Sequence, residues 1–312
     1  DLGDGAFLLQ IDRLMLHDVS GSVIMREATA RGYQADSPHQ VFGMIDHLLT
    51  TKPGPQPRNG WTPIAVQMID ETRQAARRFG VRLLDIDDPQ QGITHVVAPE
   101  LGIALPGLTV VCGDSHTCTL GGVGAIGWGI GSSEAVHALA TQTLIESRPR
   151  NMRVTFDGTL PAFVGAKDMI LALIGKLGAA AGSGYAVEFA GAAVRALPVE
   201  ARLTLCNMAV EFSAKYGFVA PDDATFAYLR EREYAPSGAA WDAACEHWRS
   251  LATDGDARFD AEVAIDAASL QPYVTWGTSP QHAAPVSARV PSPDDMADDT
   301  DRALARRALE YQ

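Results

Sequence analysis

The stretch VVCGDSHTCTLGGVGAIGWGIGSSEAVHALATQTL, residues 110–144, carries the strongest structural signal in this 312-residue chain. It continues an apolar, β-branched segment that begins at residue 108, which predicts a buried strand ending in polar residues. A glycine-rich run follows, and then SSEAVHALATQTL (132–144), which predicts a Ser-capped helix. A strand, a polar loop and a helix in this order are typical of an α/β unit.

Strand and helix signals also alternate on both sides of this stretch. VRLLDI (81–86) predicts a strand that follows a helix capped by Thr62 and closed by Gly80. MRVTFDG (152–158) predicts another strand, and apolar residues at helical spacing predict a helix within VGAKDMILALIGKLG (164–178). We therefore expect an α/β fold with mixed or parallel sheets.

Two polar stretches indicate where domains meet. ESRPRN (146–151) is charged and contains a proline, and SARVPSPDDMADDTDR (287–302) precedes a last helical run. We expect a first α/β domain over residues 1–150, a second over 151–268, and the start of a third over 269–312. Because the chain stops at Gln312 without a closing element, we expect a C-terminal portion to be missing.

The composition excludes several classes of protein. With 46% hydrophobic and 20% charged residues the chain is not disordered, and no apolar run is long enough for a membrane helix. A net charge of −13 argues against binding to nucleic acid or to an anionic membrane. The cysteines form no zinc motif and no disulfide scaffold, so we expect a reduced, cytoplasmic protein. They are Cys112, Cys118, Cys206 and Cys245.

Asp114, Ser115 and His116 stand together where the central strand is predicted to end. An open α/β sheet places its ligand site at the carboxyl ends of its strands, so we expect these side chains to enter one cleft. They do not form a catalytic triad, because consecutive extended residues point to alternating sides. The alternative is that Asp114 only caps the loop by accepting local backbone N–H groups.

The glycine-rich run over residues 121–131 contains a G-x-G-x-x-G match at 122–127. The match begins eight residues after Asp114, so its glycines do not form the tight strand-to-helix turn of a dinucleotide site. We expect them to allow either close backbone packing or the approach of a flat inorganic cofactor.

Further candidates lie outside this stretch. Asp46 and His47 follow an apolar run, and a neighbouring carboxylate can hold a histidine charged, as a general acid requires. His95 lies among apolar residues, where a histidine with a purely structural role is the alternative. Glu211 lies on a predicted helix one turn after Asn207, and alone it would be interpreted as a solvated carboxylate.

Together these segments resemble the aconitase superfamily, and within it the large subunits of isopropylmalate isomerases. The similarity extends in order over nearly the whole chain. Besides residues 110–144, it includes IDRLMLHDV (11–19), IDHLLTT (45–51), GITHVVAPELGIALPG (92–107), GKLGAAAGSGYAVEFAG (175–191), LTLCNMAVEF (203–212) and VTWGTSP (274–280).

The resemblance implies three-layer α/β domains around a central cleft and a [4Fe–4S] hydro-lyase. Such an enzyme of leucine biosynthesis interconverts 2-isopropylmalate and 3-isopropylmalate by dehydration and rehydration, together with a separate small subunit. One iron of the cluster acts as a Lewis acid on the substrate.

The resemblance also pairs each site histidine with a carboxylate. The implied pairs are His47 with Asp46, His95 with Asp114, and His116 with Glu211. The first would protonate the departing hydroxyl, and the other two would orient the iron-bound water and hydroxyl. Ser115 would contact a substrate carboxylate. A carboxylate behind each histidine raises the pKa of the ring and fixes its tautomer.

Two departures from the family pattern stand out. The cluster cysteines of the family lie in a G-S-C-T-N segment and a later C-x-x-C, neither of which occurs here, and Cys112 and Cys118 do not replace them. We therefore expect this chain alone to ligate no cluster and to be inactive. Val23 stands where the family commonly has Gln. The alternatives are a hydratase of a related diacid (citraconate, maleate or dimethylmalate), a non-catalytic subunit, or an RNA-binding protein, which the net charge disfavours.

Overall fold

The computed structural model describes residues 1–50, 52, 62–296 and 298–311. Its strands are β1 Ala6–Gln10, β2 Arg13–His17, β3 Val41–Met44, β4 Arg82–Leu84, β5 Thr109–Cys112, β6 Ile126–Gly129, β7 Thr143–Ser147, β8 Arg150–Asp157, β9 Tyr185–Ala190, β10 Tyr216–Phe218, β11 Ala261–Asp266, β12 Tyr273–Thr275 and β13 Ala283–Pro285. Its α-helices are α1 Asp18–Ala30, α2 Pro63–Phe79, α3 Thr94–Glu100, α4 Ser132–Thr141, α5 Ala166–Leu177, α6 Ala192–Arg195, α7 Val199–Asn207, α8 Asp223–Leu229, α9 Ala239–Arg249 and α10 Asp299–Tyr311. Two 3-10 segments, Ser115–Val123 and Val210–Phe212, contribute to the site.

The larger sheet has the strand order β4-β3-β2-β5-β6, and its neighbouring strands all run parallel. Side chains alternate across it: Leu14 and Leu16 pack in one core with α1, α2 and α4, whereas Met15 packs in another with α3. Helices therefore cover both faces, as is typical of parallel sheets. The predicted α/β fold is confirmed.

A second parallel sheet has the order β10-β9-β8-β11, and Val154, Phe156 and Val187 from it pack with α5. β1 pairs with β7 and β12 with β13 in separate antiparallel pairs. The two parallel sheets use separate parts of the chain, yet Leu203 of α7 packs in the same core as Leu120 beside the first sheet. The domain limits at residues 150 and 268 stay predictions.

Most predicted elements are present, but the segment after the glycine-rich run is shorter than expected. α4 ends at Thr141, Gln142 adopts a left-handed conformation with φ of 53°, and Thr143 already belongs to β7. The helix is also not capped by serine, because Gly131 holds the cap position and its N–H donates to Glu134. The helical spacing of apolar residues over 132–144 did not reveal that the helix ends at Thr141. Among the described residues, no helix is both long and apolar enough to cross a membrane.

Gly121 and Gly122 lie where two backbone segments touch. A Cβ on Gly121 would overlap the carbonyl oxygen of Gly217, and a Cβ on Gly122 would lie 2.5 Å from the backbone nitrogen of Leu203. Backbone atoms cannot rotate out of the way as a side chain can. The close backbone packing expected of the glycine-rich run is therefore confirmed at these two positions.

Replacing Gly121 with alanine should lower the free energy of unfolding by about 3 kcal/mol or more, because a new methyl group must displace the main chain at Gly217 and Phe218. Urea denaturation of the chain measures the change. Gly255→Ala is the matched control, since no atom lies within 4 Å of its added Cβ, and it should change stability by less than about 0.5 kcal/mol. Equal stabilities of the two variants would contradict the packing.

Candidate active site

The site lies at the carboxyl ends of three neighbouring strands. β2 is the central strand, and the chain order reverses beside it, since β3 lies on one side and β5 on the other. His17 ends β2, Asp46 and His47 follow β3, and Asp114 follows β5. A crevice outside the strand ends at such a switch point is the usual ligand site of an open α/β sheet.

Asp114 is at the centre of the site. Its Oδ2 lies 3.2 Å from His47 Nε2, and its Oδ1 lies 3.3 Å from His95 Nε2. Oδ1 also accepts the backbone N–H of His116 at 2.7 Å, which caps the 3-10 segment Ser115–Val123. Asp114 therefore caps the loop and also contacts two site histidines. The family resemblance implied a pairing of Asp114 with His95 alone.

His47 is held between two carboxylates. Its Nδ1 lies 2.7 Å from Asp46 Oδ1, and its Nε2 faces Asp114. The other oxygen of Asp46 accepts two hydrogen bonds from Thr94, from the backbone N–H at 2.8 Å and from the hydroxyl at 2.7 Å. Asp46 is thus oriented by α3, and its free lone pairs are directed at the ring of His47.

The contacts of His47 with Asp46 and Asp114 shift the pKa values of all three groups. Hydrogen bonds to Asp114 and then to Asp46 raise the pKa of His47 to about 10, although burial opposes the change. His47 and His95 in turn hold the pKa of Asp114 well below its usual range. Burial works against ionisation of Asp46, but hydrogen bonds from His47 and Thr94 outweigh it and lower its pKa. At neutral pH, His47 is therefore an imidazolium between two carboxylates.

These shifts predict how stability depends on pH. The pKa of His47 is raised on folding, so its contribution is complete below about pH 6.5 and is lost as the pH rises towards 10. The pKa values of Asp46 and Asp114 are lowered, so their contribution is present above their ordinary value of 3.8 and is lost on acidification. The urea concentration at the denaturation midpoint should therefore decrease as the pH is raised from about 7 to about 9. The fall should be smaller in His47→Gln, and identical pH profiles would contradict the assignment.

His95 lies in the first turn of α3 and is only 7% exposed. Its Nε2 lies close to Asp114, but the two groups are not oriented for a hydrogen bond. Its Nδ1 also lacks a hydrogen-bond partner among the described residues. A buried polar ring without hydrogen bonds is costly in a purely structural position. The contact with Asp114 places His95 in the site, and its role there stays a prediction.

His116 connects the site to the second half of the chain. Its Nε2 lies 3.1 Å from Glu211 Oε1, and its Nδ1 lies 3.2 Å from Ser115 Oγ. The helix predicted through Glu211 is wrong, because α7 ends at Asn207 and Glu211 lies in the 3-10 turn Val210–Phe212. That turn changes the direction of the chain and brings Glu211 to His116.

An open cleft of about 460 Å³ lies beside these groups, a volume suited to a small molecule. Asp114 and Ser115 form part of its wall, and Lys215 lies on the same wall, paired with Glu146. The sequence analysis did not single out Lys215 or Glu146, and no local pattern marks them. The sequence analysis also did not single out His17. A signal was present, because His17 is followed directly by an aspartate, just as His47 is preceded directly by one.

The described residues do not fit an iron–sulfur cluster. Such a cluster needs several converging thiolates. The four free cysteines are all buried, and only Cys118 and Cys206 share a core, whereas Cys112 and Cys245 lie in two others. Burial also raises the pKa of Cys112, Cys118 and Cys206, which keeps these thiols protonated. One potential metal-ligand atom from each of His17, Asp18, Asp46 and His47 lies within 4.8 Å of the others. All four already have hydrogen-bond partners within the protein.

The fold and the site define an α/β protein that gathers paired histidines and carboxylates at the carboxyl ends of a parallel sheet. The chain belongs to the aconitase family: residues 3–312 match Aconitase family (aconitate hydratase). It is 50% identical over 310 residues to 3-isopropylmalate dehydratase large subunit 1 of Bradyrhizobium diazoefficiens. The match covers 99% of this chain and 64% of that relative.

Proposed function

We propose that this chain supplies the acid–base part of a hydro-lyase that interconverts 2-isopropylmalate and 3-isopropylmalate. The observation that carries the proposal is the ring of His47 held between the carboxylates of Asp46 and Asp114, which favour its protonated form. The name of the relative, a 3-isopropylmalate dehydratase large subunit, supports this substrate. Leucine biosynthesis is the pathway in which we place the reaction.

Dehydration expels a hydroxyl group as water and removes a proton from the neighbouring carbon, so it needs a proton donor and a base. We assign only the proton donor to a residue of this chain. Of the two ring nitrogens of His47, Nδ1 is held by the short contact with Asp46, whereas Nε2 makes the longer contact with Asp114. Nε2, on the side of Asp114, is thus the position from which a substrate hydroxyl can take a proton. The ring side chain is 38% exposed and can be reached by substrate. Rehydration returns the proton to the same nitrogen.

The remaining site residues orient the reactants in this proposal. His116, supported by Glu211, presents its ring beside Ser115 in a position to bind the hydroxyl or a substrate carboxylate. His95 is held beside Asp114 with its Nδ1 buried and without a hydrogen-bond partner among the described residues, and we assign it an orienting role. The rings of His47, His95 and His116 all lie within 4 Å of the Asp114 carboxylate, which fixes their relative positions and keeps the local charge negative around the His47 proton.

The complete enzyme would also need groups that this chain does not supply. The family resemblance implies a [4Fe–4S] cluster acting as a Lewis acid, and its ligands would be residues other than the four cysteines of this chain. We also propose a separate small subunit as partner, supported by the words "large subunit" in the name of the relative. Four free cysteines support a cytoplasmic location.

A steady-state assay of the complete gene product with its small partner tests the function. We expect interconversion of 2-isopropylmalate and 3-isopropylmalate, and a decrease in kcat of about 10²-fold to 10⁴-fold in His47→Gln, because a general acid contributes that much. His39→Gln is the matched control, since that ring is exposed and lies outside the site. Hydration of citraconate without turnover of isopropylmalate would overturn the substrate assignment. Full activity of His47→Gln would overturn the role of His47.

A further inference from the structure

His17 lies directly against the proposed proton donor. Its ring stacks on the ring of His47, with the centroids 4.0 Å apart and the planes inclined by 24°. His17 is only 4% exposed, so its ring is almost completely enclosed by protein, and the ring of His47 covers one of its faces. Two histidines in face-to-face contact cannot both carry a positive charge at low cost.

The backbone around His17 defines its protonation state. Its Nδ1 lies 3.4 Å from the backbone N–H of Ser20, which can only donate, so Nδ1 is an acceptor. Its Nε2 lies 3.3 Å from the carbonyl oxygen of Gly113, which can only accept, so Nε2 carries the proton. The ring is therefore the neutral Nε2–H tautomer. Burial and the adjacent positive charge of His47 lower the pKa of His17 in agreement with this state, although Asp46 and Asp114 act in the opposite direction.

Asp18, the next residue, holds the backbone of His47. Its carboxylate is fully buried and accepts the backbone N–H of His47 at 3.0 Å and that of Leu48 at 2.8 Å. It also lies 3.8 Å from Nδ1 of His47 and adds to the negative charge around that ring. Residues 17 and 18 thus contact both the backbone and the ring face of His47, whereas the shortest contacts of its two ring nitrogens are with Asp46 and Asp114.

We propose that His17 is a positioning residue: its neutral ring supports the face of His47, so that Nδ1 stays on Asp46 while Nε2 stays on Asp114. Without this flat surface the His47 ring can turn about its Cβ–Cγ bond and lose one of the two carboxylates. The proposal rests on the assigned role of His47 in catalysis, but its geometric part concerns the ring itself and can be measured without turnover.

The test is an NMR titration of the His47 imidazole in the complete gene product with selectively labelled histidine, the signal being assigned by its loss in His47→Gln. In His17→Ala we expect the pKa of His47 to fall by about one to two units, the effect of losing one close carboxylate contact. In His17→Phe, which keeps a flat ring but cannot form the two hydrogen bonds, the pKa should stay within about 0.5 unit of the parent. His39→Ala is the control for removing an exposed ring.

Each outcome of the titration bears on the proposal. An unchanged His47 pKa in His17→Ala would overturn it, even if the melting temperature fell, because a purely structural role lowers stability alone. Equal falls in the Ala and Phe variants would also overturn it and would assign the effect to the hydrogen bonds. If His17→Ala does not fold, His17→Gln replaces it as the polar variant without a ring, with the same expected fall. If the parent protein does not turn over isopropylmalate, the proposed function is refuted, but the titration of His47 still decides whether His17 positions its ring.

Discussion

Replacing Asp114 with asparagine should lower the pKa of His47 from about 10 towards its ordinary value of 6.5. The contact with Asp114 contributes most to the raised pKa, and a neutral amide cannot stabilise the imidazolium in the same way. The substitution keeps the shape of the side chain and retains an oxygen that can accept the N–H of His116. The fold should therefore persist while the charge at the centre of the site is lost.

The same variant should lower kcat of the complete enzyme by about 10²-fold to 10⁴-fold, because its proton donor becomes partly neutral near pH 7 and its histidines lose their common anchor. NMR titration and steady-state kinetics measure the two effects. Asp242→Asn, an equal change on the exposed side of α9, should alter neither. A His47 pKa that remains near 10 in Asp114→Asn would show that Asp46 alone holds the proton.

Replacing Arg202 with alanine should lower the free energy of unfolding by about 3 kcal/mol, the lower end of the usual cost of breaking a buried ion pair, because the Asp222 side chain is one-third exposed. The Arg202 side chain is fully buried. Its guanidinium donates to both oxygens of Asp222 at 2.7 and 2.8 Å and to the carbonyl oxygens of Arg195 and Leu197. Alanine removes all four of these hydrogen bonds and leaves Asp222 with only the backbone N–H groups of Ala224 and Thr225 as donors. Burial opposes ionisation of Asp222, and its lowered pKa depends on the hydrogen bonds from Arg202.

Urea denaturation measures this effect, and Arg249→Ala is the matched control. Arg249 also pairs with an aspartate, Asp223, but the two side chains are 61% and 91% exposed. A solvent-exposed pair contributes about 1 kcal/mol at most. A loss of less than about 1 kcal/mol in Arg202→Ala would contradict the buried network. Because Gly122 packs on the backbone at Leu203, the variant should also loosen the 3-10 segment that carries His116.

Much of the fold could be predicted from local patterns. The strand before Asp114 and the helix ending at Gly178 follow from apolar periodicity and a closing residue, which act over a few neighbouring positions. The pairing of Asp46 with His47 was equally accessible, because the two residues are adjacent in the chain. The break at Gln142 was not, since the helical spacing continues through it and the pairing of β7 with the distant β1 ends the helix there.

The sequence of this protein determined its α/β class, its family and the residue types available for acid–base chemistry. Only the tertiary structure placed Asp114 between His47 and His95, His17 against the ring of His47, and Lys215 on the wall of the cleft. The physical reason is that helices and strands are set by neighbours a few residues apart, whereas these contacts join positions brought together by strand order. The order β4-β3-β2-β5-β6 puts three strand ends side by side, and no local pattern records that order.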